Sequence, residues 1–223
     1  DTITFTPKLK SNTAVASYTF GIYDRTGAAV KTVAGNGTPP ASINWNGTAD
    51  TEEAKGQLCA DGLYSAGIEV TLANGQTAKS TVPEITLDTQ YPDAEISVPY
   101  SVFSTDSAAK RPNLPIGQKV SAENLWTGSI TSADGREVRN FTWEGKASDF
   151  VWDGADSSGN KVPDGTYRYT LSAQDPAGNK TVRTLDRIVI DSRVPKAYIT
   201  AELPAFSPNG DGIKDTQNLT VHT

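Results

Sequence analysis

The chain has 223 residues, 20 Lys and Arg against 26 Asp and Glu, and a formal net charge of −6. No basic stripe is present, so no nucleic acid is predicted as a partner, because binding to phosphates needs clustered Lys and Arg. No stretch approaches the ~18 apolar residues of a membrane span, so no transmembrane segment is predicted. The single cysteine excludes an internal disulfide, and 19 glycines, 13 prolines and no methionine favour strands and turns over helices.

The first predicted strands form two hairpins. Residues 17–23 alternate apolar and polar side chains, turn at 24–27 and resume at 28–33. Residues 64–72 alternate in the same way, and a following strand at 77–87 completes a hairpin after an Asn-Gly turn. Because alternate side chains of a strand point to opposite faces, this period of two places one face of each strand in a core.

The same order of strands recurs in the second half of the chain, at 125–131, 136–141, 167–173 and 180–190. About seven short strands per 100 residues, with frequent turn signals, are typical of an immunoglobulin-like sandwich. The predicted fold class is therefore all-β, as tandem immunoglobulin-like β-sandwiches.

One phrase occurs twice. Residues 43–64 and 150–167 each contain an aromatic strand end, a glycine turn, a polar loop and Asp-Gly-x-Tyr, and Tyr64 recurs as Tyr167 103 positions later. A repeat of roughly 100 residues has the size of one compact domain rather than of a solenoid unit. The tryptophans of the phrase are predicted to cap or fill the two cores.

The duplication predicts two whole sandwiches and the opening of a third. The predicted pieces are residues 1–92, 93–195 and 196–223. Proline at both joints predicts short, stiff connections. We expect the chain to be part of a longer protein. We also expect residues 197–223 to pair with an exposed strand edge, either of the second sandwich or of another molecule, because unpaired backbone seeks a partner.

Several motifs resemble the immunoglobulin-like repeat of the bacterial flagellar hook-capping protein. They are Trp-Asp-Gly at 152–154, Val-Pro-Asp-Gly-x-Tyr at 162–167, Asp-x-Ala-Gly-Asn at 175–179 and Phe-Ser-Pro-Asn-Gly-Asp-Gly at 206–212. Related repeats occur at the C-termini of bacterial surface and secreted proteins. The resemblance implies a bacterial, extracytoplasmic location, which is periplasmic, outer-membrane-associated or secreted. It also implies an opening motif in each copy, which we match to Phe103 and Phe5.

Within the third opening, Asn209, Asp211 and Asp215 place oxygen atoms at positions i, i+2 and i+6 around glycines. This spacing partly resembles a calcium loop, in which alternate Asp and Asn side chains wrap a hard cation. The alternative is an Asx and glycine turn that opens a strand. Calcium is the one cofactor that the sequence suggests.

Trp126 and Trp143 are candidate ligand residues, because exposed aromatic rings bind sugars and other flat ligands. The alternative is that both rings pack within the strands. The only histidine is His222, close to the last residue, so no Ser-His-Asp arrangement is expected and the chain is predicted not to be an enzyme.

The leading hypothesis is a non-catalytic spacer or adhesion segment of a larger bacterial extracytoplasmic protein. Such a segment would contact other domains or proteins through its loops or by strand addition. One alternative is an accessory region of a secreted enzyme that binds carbohydrate or holds a catalytic domain at a distance. Another alternative is a flagellar scaffold subunit.

Overall fold

The structure is a computed structural model that describes residues 2–222. Sixteen β-strands and no helix lie in this range, which confirms the all-β prediction. No helix there is long and apolar enough to cross a membrane. In chain order the strands are β1 (Ile3–Phe5), β2 (Val15–Asp24), β3 (Ala29–Asn36), β4 (Ile43–Trp45), β5 (Gly62–Leu72), β6 (Thr77–Leu87), β7 (Ala94–Ser97), β8 (Val102–Phe103), β9 (Leu114–Val120), β10 (Glu123–Ser132), β11 (Glu137–Gly145), β12 (Phe150–Trp152), β13 (Gly165–Gln174), β14 (Lys180–Ile190), β15 (Tyr198–Ala201) and β16 (Leu219–His222).

The first sandwich packs a four-stranded sheet, in the order β3-β2-β5-β6, against the two-stranded sheet β1-β4. The alternation predicted from sequence places side chains of β2 and β5 between the sheets, and β6 adds Ile85. The buried core residues are Phe20, Ile22, Ile43, Trp45, Tyr64, Ala66 and Ile85. Both sheets contribute to this list, so it defines one shared core.

The second sandwich is larger. Its main sheet has five strands in the order β11-β10-β13-β14-β8, and the opposite sheet has three in the order β12-β9-β7. β8 runs parallel to β14, and the pairs β10-β11, β12-β9 and β7-β9 are antiparallel. The fully buried side chains include Trp126, Trp152, Tyr169, Leu114, Ile116, Ile130, Leu171, Ile188 and Ile190.

The strand pairing in the smaller sheets shows which residues of the two copies correspond. In the first sandwich Phe5 pairs with Ile43, and in the second Ile116 pairs with Phe150. β1 is therefore the counterpart of β9, and the match of Phe5 to the opening residue Phe103 was wrong. Sequence alone suggested that match because both residues are a Phe followed by Ser or Thr. Within residues 2–222, no strand of the first sandwich occupies the positions that β7 and β8 take in the second.

By compactness the chain divides into two units. The first contains residues up to Pro92 together with Ala173–Thr181, and the second contains Asp93–Ser172 and the residues from Val182 onward. Within the first unit, Thr181 Oγ1 donates a hydrogen bond to the Pro92 carbonyl over 2.5 Å. The predicted domain boundaries at 92 and 195 stay predictions.

β15 and β16 form a separate two-stranded sheet, with Tyr198 opposite His222 and Ala201 opposite Leu219. Within residues 2–222, neither strand joins a sheet of the second sandwich. The expected pairing of this segment with an edge of that sandwich was therefore wrong. The reason is local, because β16 lies only a loop away from β15 and satisfies its backbone first.

Candidate functional site

The tryptophans of the repeated phrase are core residues held by one hydrogen bond each. Trp45 Nε1 donates to the Thr48 carbonyl over 2.9 Å, and Trp152 Nε1 donates to the Ala155 carbonyl over 2.9 Å. Both rings are buried, which confirms that they fill the cores. The glycine turn that follows each tryptophan therefore folds back over the indole ring.

The tyrosines of the repeated phrase pack against these tryptophans and are also held by one hydrogen bond each. Tyr64 donates its hydroxyl hydrogen to the Ala60 carbonyl, and Tyr167 donates to the Pro163 carbonyl, both over 2.6 Å. Burial raises the pKa of both phenols, so both remain protonated donors at neutral pH. The phenol rings lie 5.1 and 5.2 Å from the indole rings of their own copies.

The aspartates of Asp-Gly-x-Tyr hold the segment that leaves each sandwich. Asp61 Oδ1 accepts hydrogen bonds from the Thr89 amide and hydroxyl over 3.0 and 2.9 Å. Asp164 Oδ2 accepts one from the Ser192 amide over 2.9 Å. The repeated phrase therefore anchors the connecting segment onto its own sandwich in both copies.

A second hydrogen bond holds each connecting segment, at the residue after Thr89 and at the residue after Ser192. Asp88 Oδ1 accepts from the Gln90 amide over 3.0 Å, and Asp191 Oδ1 accepts from the Arg193 amide over 3.2 Å. The Arg193 guanidinium also donates two bonds to Asp191, over 2.8 and 2.7 Å. These bonds from Arg193 lower the pKa of Asp191 to about 2.

The two candidate ligand tryptophans have different environments. Trp126 is 0% exposed, and its Nε1 donates to the Ser121 carbonyl over 3.0 Å. Trp126 cannot offer a ring face to a ligand, so that prediction was wrong. It lies next to Leu125, and a strand with one face in a core buries only one of two adjacent side chains. The structure buries Trp126 and leaves Leu125 exposed.

Trp143 lies opposite Trp126 on the edge strand β11 and is half-buried. Its ring stacks on Phe141 with an interplanar angle of 8° and a centroid distance of 5.6 Å. Phe150 lies 6.1 Å from Trp143 on the other side of the sandwich. Trp143 stays a predicted ligand residue.

The predicted calcium residues lie together in the loop between β15 and β16. Asp215 accepts hydrogen bonds from the Gly210 amide over 2.9 Å and from the Gly212 amide over 2.6 Å. Asp211 accepts from the Ile213 amide over 2.8 Å, which lowers the pKa of Asp211. Asn209 Nδ2 donates to the Asp211 carboxylate over 3.0 Å. The three side chains therefore bind the loop's own backbone and each other, and the calcium site stays a prediction.

His222 is part of the small sheet β15-β16. Its Nε2 lies 3.0 Å from the Thr200 hydroxyl, and its ring stacks on Tyr198 at 4.5 Å. In residues 2–222, no group of three His, Cys, Asp or Glu side chains is arranged to hold a metal ion.

Sequence reasoning missed a buried polar network in the second sandwich. Tyr169 donates its hydroxyl hydrogen to Gln118 Oε1 over 2.6 Å, and Gln118 Nε2 donates to the Ser148 carbonyl over 2.6 Å. Burial raises the pKa of Tyr169 well above its usual range. The available signal was Gln118 itself, a polar residue at an apolar-facing position of a strand.

The family model of the FlgD Ig-like domain matches residues 112–186, which span β9 to β13 and much of β14. Residues 112–186 thus match an immunoglobulin-like domain, as the resemblance of the motifs predicted. Comparison with curated proteins gave no match.

The solved structures that this chain matches are only distantly similar to it. Fibronectin(III)-like modules of Clostridium thermocellum CbhA are 15% identical, with a TM-score of 0.43 and coverage of 86% of this chain and 85% of that structure. A tetra-tandem repeat from the extending region of a large adhesion protein is 20% identical, with a TM-score of 0.35 and coverage of 84% and 45%. A calcium-stabilised, ice-binding adhesin of an Antarctic bacterium is 16% identical, with a TM-score of 0.42 and coverage of 90% and 46%. This chain therefore spans less than half of both adhesin structures.

Proposed function

We propose that this chain is a non-catalytic spacer and interaction segment of a larger bacterial extracytoplasmic protein. The observation that carries the proposal is the bond that fastens each connecting segment to the sandwich before it. Asp61 holds Thr89, and Asp164 holds Ser192 in the same way. A spacer needs this property, because a loose connection would let the following domain tumble and would lose the distance that the spacer sets.

The first connecting segment is also held where it enters the next strand. The Asp93 amide donates to Ser121 Oγ over 2.9 Å, and the Ser121 amide donates to the Asp93 carbonyl over 2.9 Å. Gln90 is held by Asp88, so the residues between the two anchored ends are Tyr91 and Pro92. Proline fixes one of the remaining backbone torsions. The connecting segment therefore has fewer free backbone torsions than a flexible linker requires.

Distances between spin labels on the two sandwiches test the spacer role. Labels at Lys55→Cys and Lys146→Cys, both exposed positions, are measured by pulsed electron paramagnetic resonance in a Cys59→Val background. We expect one narrow distance distribution for the parent chain. Asp61→Ala frees Thr89 and is expected to broaden the distribution.

The matched control is Asp24→Ala. Asp24 accepts similar bonds from the Thr26 and Ala28 amides in a surface turn, but it does not touch the connecting segment. It should leave the width unchanged. A broad distribution in the parent chain, or equal widths for the parent and Asp61→Ala, would count against a spacer.

A second candidate function is carbohydrate binding, which the half-buried stack of Trp143 on Phe141 favours. Sugar rings stack on aromatic faces, and this stack lies on an edge strand. Fluorescence titration with soluble bacterial and plant glycans tests it, with Trp143→Ala as the variant. Binding that persists in Trp143→Ala, or no binding at all, would exclude this residue as the platform.

The calcium site at Asn209, Asp211 and Asp215 is also proposed only. Each carboxylate oxygen has a second lone pair, so an oxygen that accepts an amide can still coordinate a cation. A melting temperature that rises in millimolar calcium, and does not rise in Asp215→Asn, would support the site. An unchanged melting temperature would leave the three side chains with the role of shaping the turn.

A further inference from the structure

Three planar side chains form a series along the edge strand β11, which we call the β11 ladder. Arg139, Phe141 and Trp143 occupy alternate positions of the strand, so their side chains lie on the same face. The guanidinium carbon of Arg139 lies 5.3 Å from the centre of the Phe141 ring, and the Phe141 ring stacks on Trp143 at 5.6 Å. All three residues are half-buried. Because an aromatic ring attracts a cation above its face, the Phe141 ring holds the guanidinium in place.

Neighbouring side chains support the β11 ladder from the core side. Phe150 of the opposite sheet lies 4.2 Å from Phe141 and 6.1 Å from Trp143, measured between ring centres. Tyr169 meets the Phe141 ring edge-on at 6.4 Å, and Gln118 fixes the Tyr169 hydroxyl. The β11 ladder is therefore a packed surface, and a ligand can bind to it without first having to order it.

The guanidinium of Arg139 has unused hydrogen-bond donors. Among residues 2–222, the one carboxylate within 4 Å of it belongs to Asp153, and Nη1 and Oδ1 lie 3.6 Å apart, which is too long for a hydrogen bond. Within the same range the guanidinium donates no hydrogen bond to any other group. A guanidinium carries five N–H donors, and the Arg139 side chain is 34% exposed. These donors are therefore available to a ligand.

Asp153 does not fully neutralise Arg139, because Lys161 already binds it. Lys161 Nζ donates to Asp153 Oδ2 over 2.9 Å and to the Asp153 carbonyl over 2.7 Å. The hydrogen bond from Lys161 lowers the pKa of Asp153. Glu144 is adjacent to Trp143 in the strand, so its side chain lies on the opposite face from the β11 ladder. Arg139, Lys161 and Asp153 together carry one positive charge in excess, which favours an anionic ligand.

The first sandwich has different side chains at the equivalent positions. Counted from the hairpin turns at 24–27 and 132–135, the counterparts of Arg139, Phe141 and Trp143 are Lys31, Val33 and Gly35. Lys31 forms an ion pair with Asp50 of its own sandwich, with Nζ and Oδ2 3.5 Å apart. The same pair of strands thus folds without the β11 ladder, so the fold does not require these three side chains.

A sugar that carries a carboxylate matches both parts of the β11 ladder. The C–H face of a sugar ring is apolar and packs on aromatic side chains. A carboxylate accepts two parallel hydrogen bonds from a guanidinium. The guanidinium and the nearest ring are 5.3 Å apart, so one sugar residue can contact both. A neutral sugar would leave the donors of Arg139 unused, and an acidic peptide would leave the aromatic rings unused.

We propose that the β11 ladder binds a uronic-acid residue of an acidic polysaccharide. The sugar ring packs on Phe141 and Trp143, and the carboxylate of the sugar accepts hydrogen bonds from Arg139. The proposal rests on the carbohydrate-binding function proposed above for Trp143, and it names the class of glycan. It is independent of the spacer role, since a spacer need not bind a glycan.

Binding of the full chain to polygalacturonate and to its methyl ester tests the need for a carboxylate. Esterification removes the charge of the polymer and leaves its sugar rings unchanged. In a titration followed by tryptophan fluorescence, we expect binding to polygalacturonate and at least about tenfold weaker binding to the ester, because a hydrogen bond to a charged group is lost. Binding to polygalacturonate should also weaken as salt is added, since the contact is an exposed ion pair.

Two substitutions of Arg139 test its role in this binding. Arg139→Gln should weaken binding to polygalacturonate at least about tenfold. Arg139→Lys should bind with an intermediate affinity, because lysine keeps the charge but lacks the two parallel donors. The matched control is Lys31→Gln, which removes one positive charge at the equivalent position of the first sandwich and should bind like the parent chain. Thermal denaturation checks that every variant is folded.

The outcomes separate this proposal from carbohydrate binding in general. Equal binding to polygalacturonate and its methyl ester, lost in Trp143→Ala, would keep a carbohydrate site and overturn the need for a carboxylate. Binding to neither polymer would overturn the proposal, and the neutral glycans of the titration described above would then decide whether any carbohydrate binds. Polyglutamate that binds as tightly as polygalacturonate, or equal weakening by Arg139→Gln and Lys31→Gln, would show attraction by charge alone and would also overturn it.

Discussion

At the scale of single residues, the repeated phrase specifies hydrogen bonds rather than chemistry. Trp45, Tyr64 and Asp61 each make a bond that their counterparts also make. These residues could be recognised in the sequence because both copies carry them at fixed spacing. Their bonds could not be predicted, since the partners are backbone carbonyls and connecting residues that the pattern does not mark.

Removing the hydroxyl of Tyr64 or Tyr167 tests how much its hydrogen bond stabilises the sandwich. Tyr64→Phe and Tyr167→Phe each remove one bond of 2.6 Å to a backbone carbonyl. Each substitution is expected to lower the free energy of unfolding of its own sandwich by about 1 kcal/mol, measured by chemical denaturation. Tyr91→Phe is the control, because Tyr91 is 67% exposed. An effect of Tyr91→Phe as large as that of the other two would show that the hydroxyl bonds are not the cause.

The lowered pKa of Asp191 leads us to expect that the stability of the folded chain depends on pH. Its pKa is about 2 in the folded chain, because the Arg193 guanidinium binds it, against about 3.9 for an unfolded Asp. A lowered folded pKa gives stability that is present above about pH 4 and is lost as pH falls toward about 2. The melting temperature of the parent chain should therefore exceed that of Asp191→Asn at pH 6, and the difference should shrink on acidification.

Arg193→Gln is the matched background for that measurement. The effect of Asp191→Asn on the melting temperature is measured again in this background, at pH 6 and on acidification. Without the guanidinium, the acid-dependent part of that effect should become smaller, because the main cause of the lowered pKa of Asp191 is gone. An unchanged pH profile in the Arg193→Gln background would assign the dependence to other carboxylates.

At the scale of elements, the long hairpins could be predicted and the short strands could not. β6 and β14 were predicted at their observed bounds, 77–87 and 180–190, because each follows an alternating strand and a marked turn. β8 has two residues and β12 has three, too few to show a period. Their positions depend on partners distant in sequence, such as β14 beside β8.

The two cores are also filled by different combinations of side chains. The first places Phe20 on β2 and Ala66 on β5, whereas the second places Gly128 on β10 and Tyr169 on β13. The large side chain has changed strands between the copies. Such exchanges preserve the volume of the core. They leave the pattern of apolar positions unchanged, so that pattern could not be used to predict them.

Gly128 gives a test of this exchange. A Cβ atom at Gly128 would lie 2.6 Å from Tyr169 Oη and 2.9 Å from Trp143 Cζ3. Tyr169 is held by Gln118 and cannot yield, so Gly128→Ala is expected to destabilise the second sandwich by about 1–3 kcal/mol in chemical denaturation.

The matched control is Gly67→Ala in the middle of β5. Its Cβ would meet no atom closer than 3.6 Å, so the expected change is within about 0.5 kcal/mol. Equal effects of the two substitutions would mean that strand propensity, and not the tyrosine, sets the response.

At the scale of the whole molecule, the duplication is the feature that the sequence states most clearly. It predicted immunoglobulin-like repeats, and the match of residues 112–186 to the FlgD Ig-like domain agrees with it. It did not predict how the short strands pair. That depends on the register of β1 against β4, which places Phe5 opposite Ile43.

The central claim is that the chain is a spacer made of two sandwiches that each fold as a unit. Stretching single molecules held by their two ends tests it directly. We expect two separate unfolding steps of about 30 nm each, since a sandwich of roughly 90 residues extends at about 3.5 Å per residue. A single step that releases both sandwiches together, or extension without any force peak, would contradict the claim.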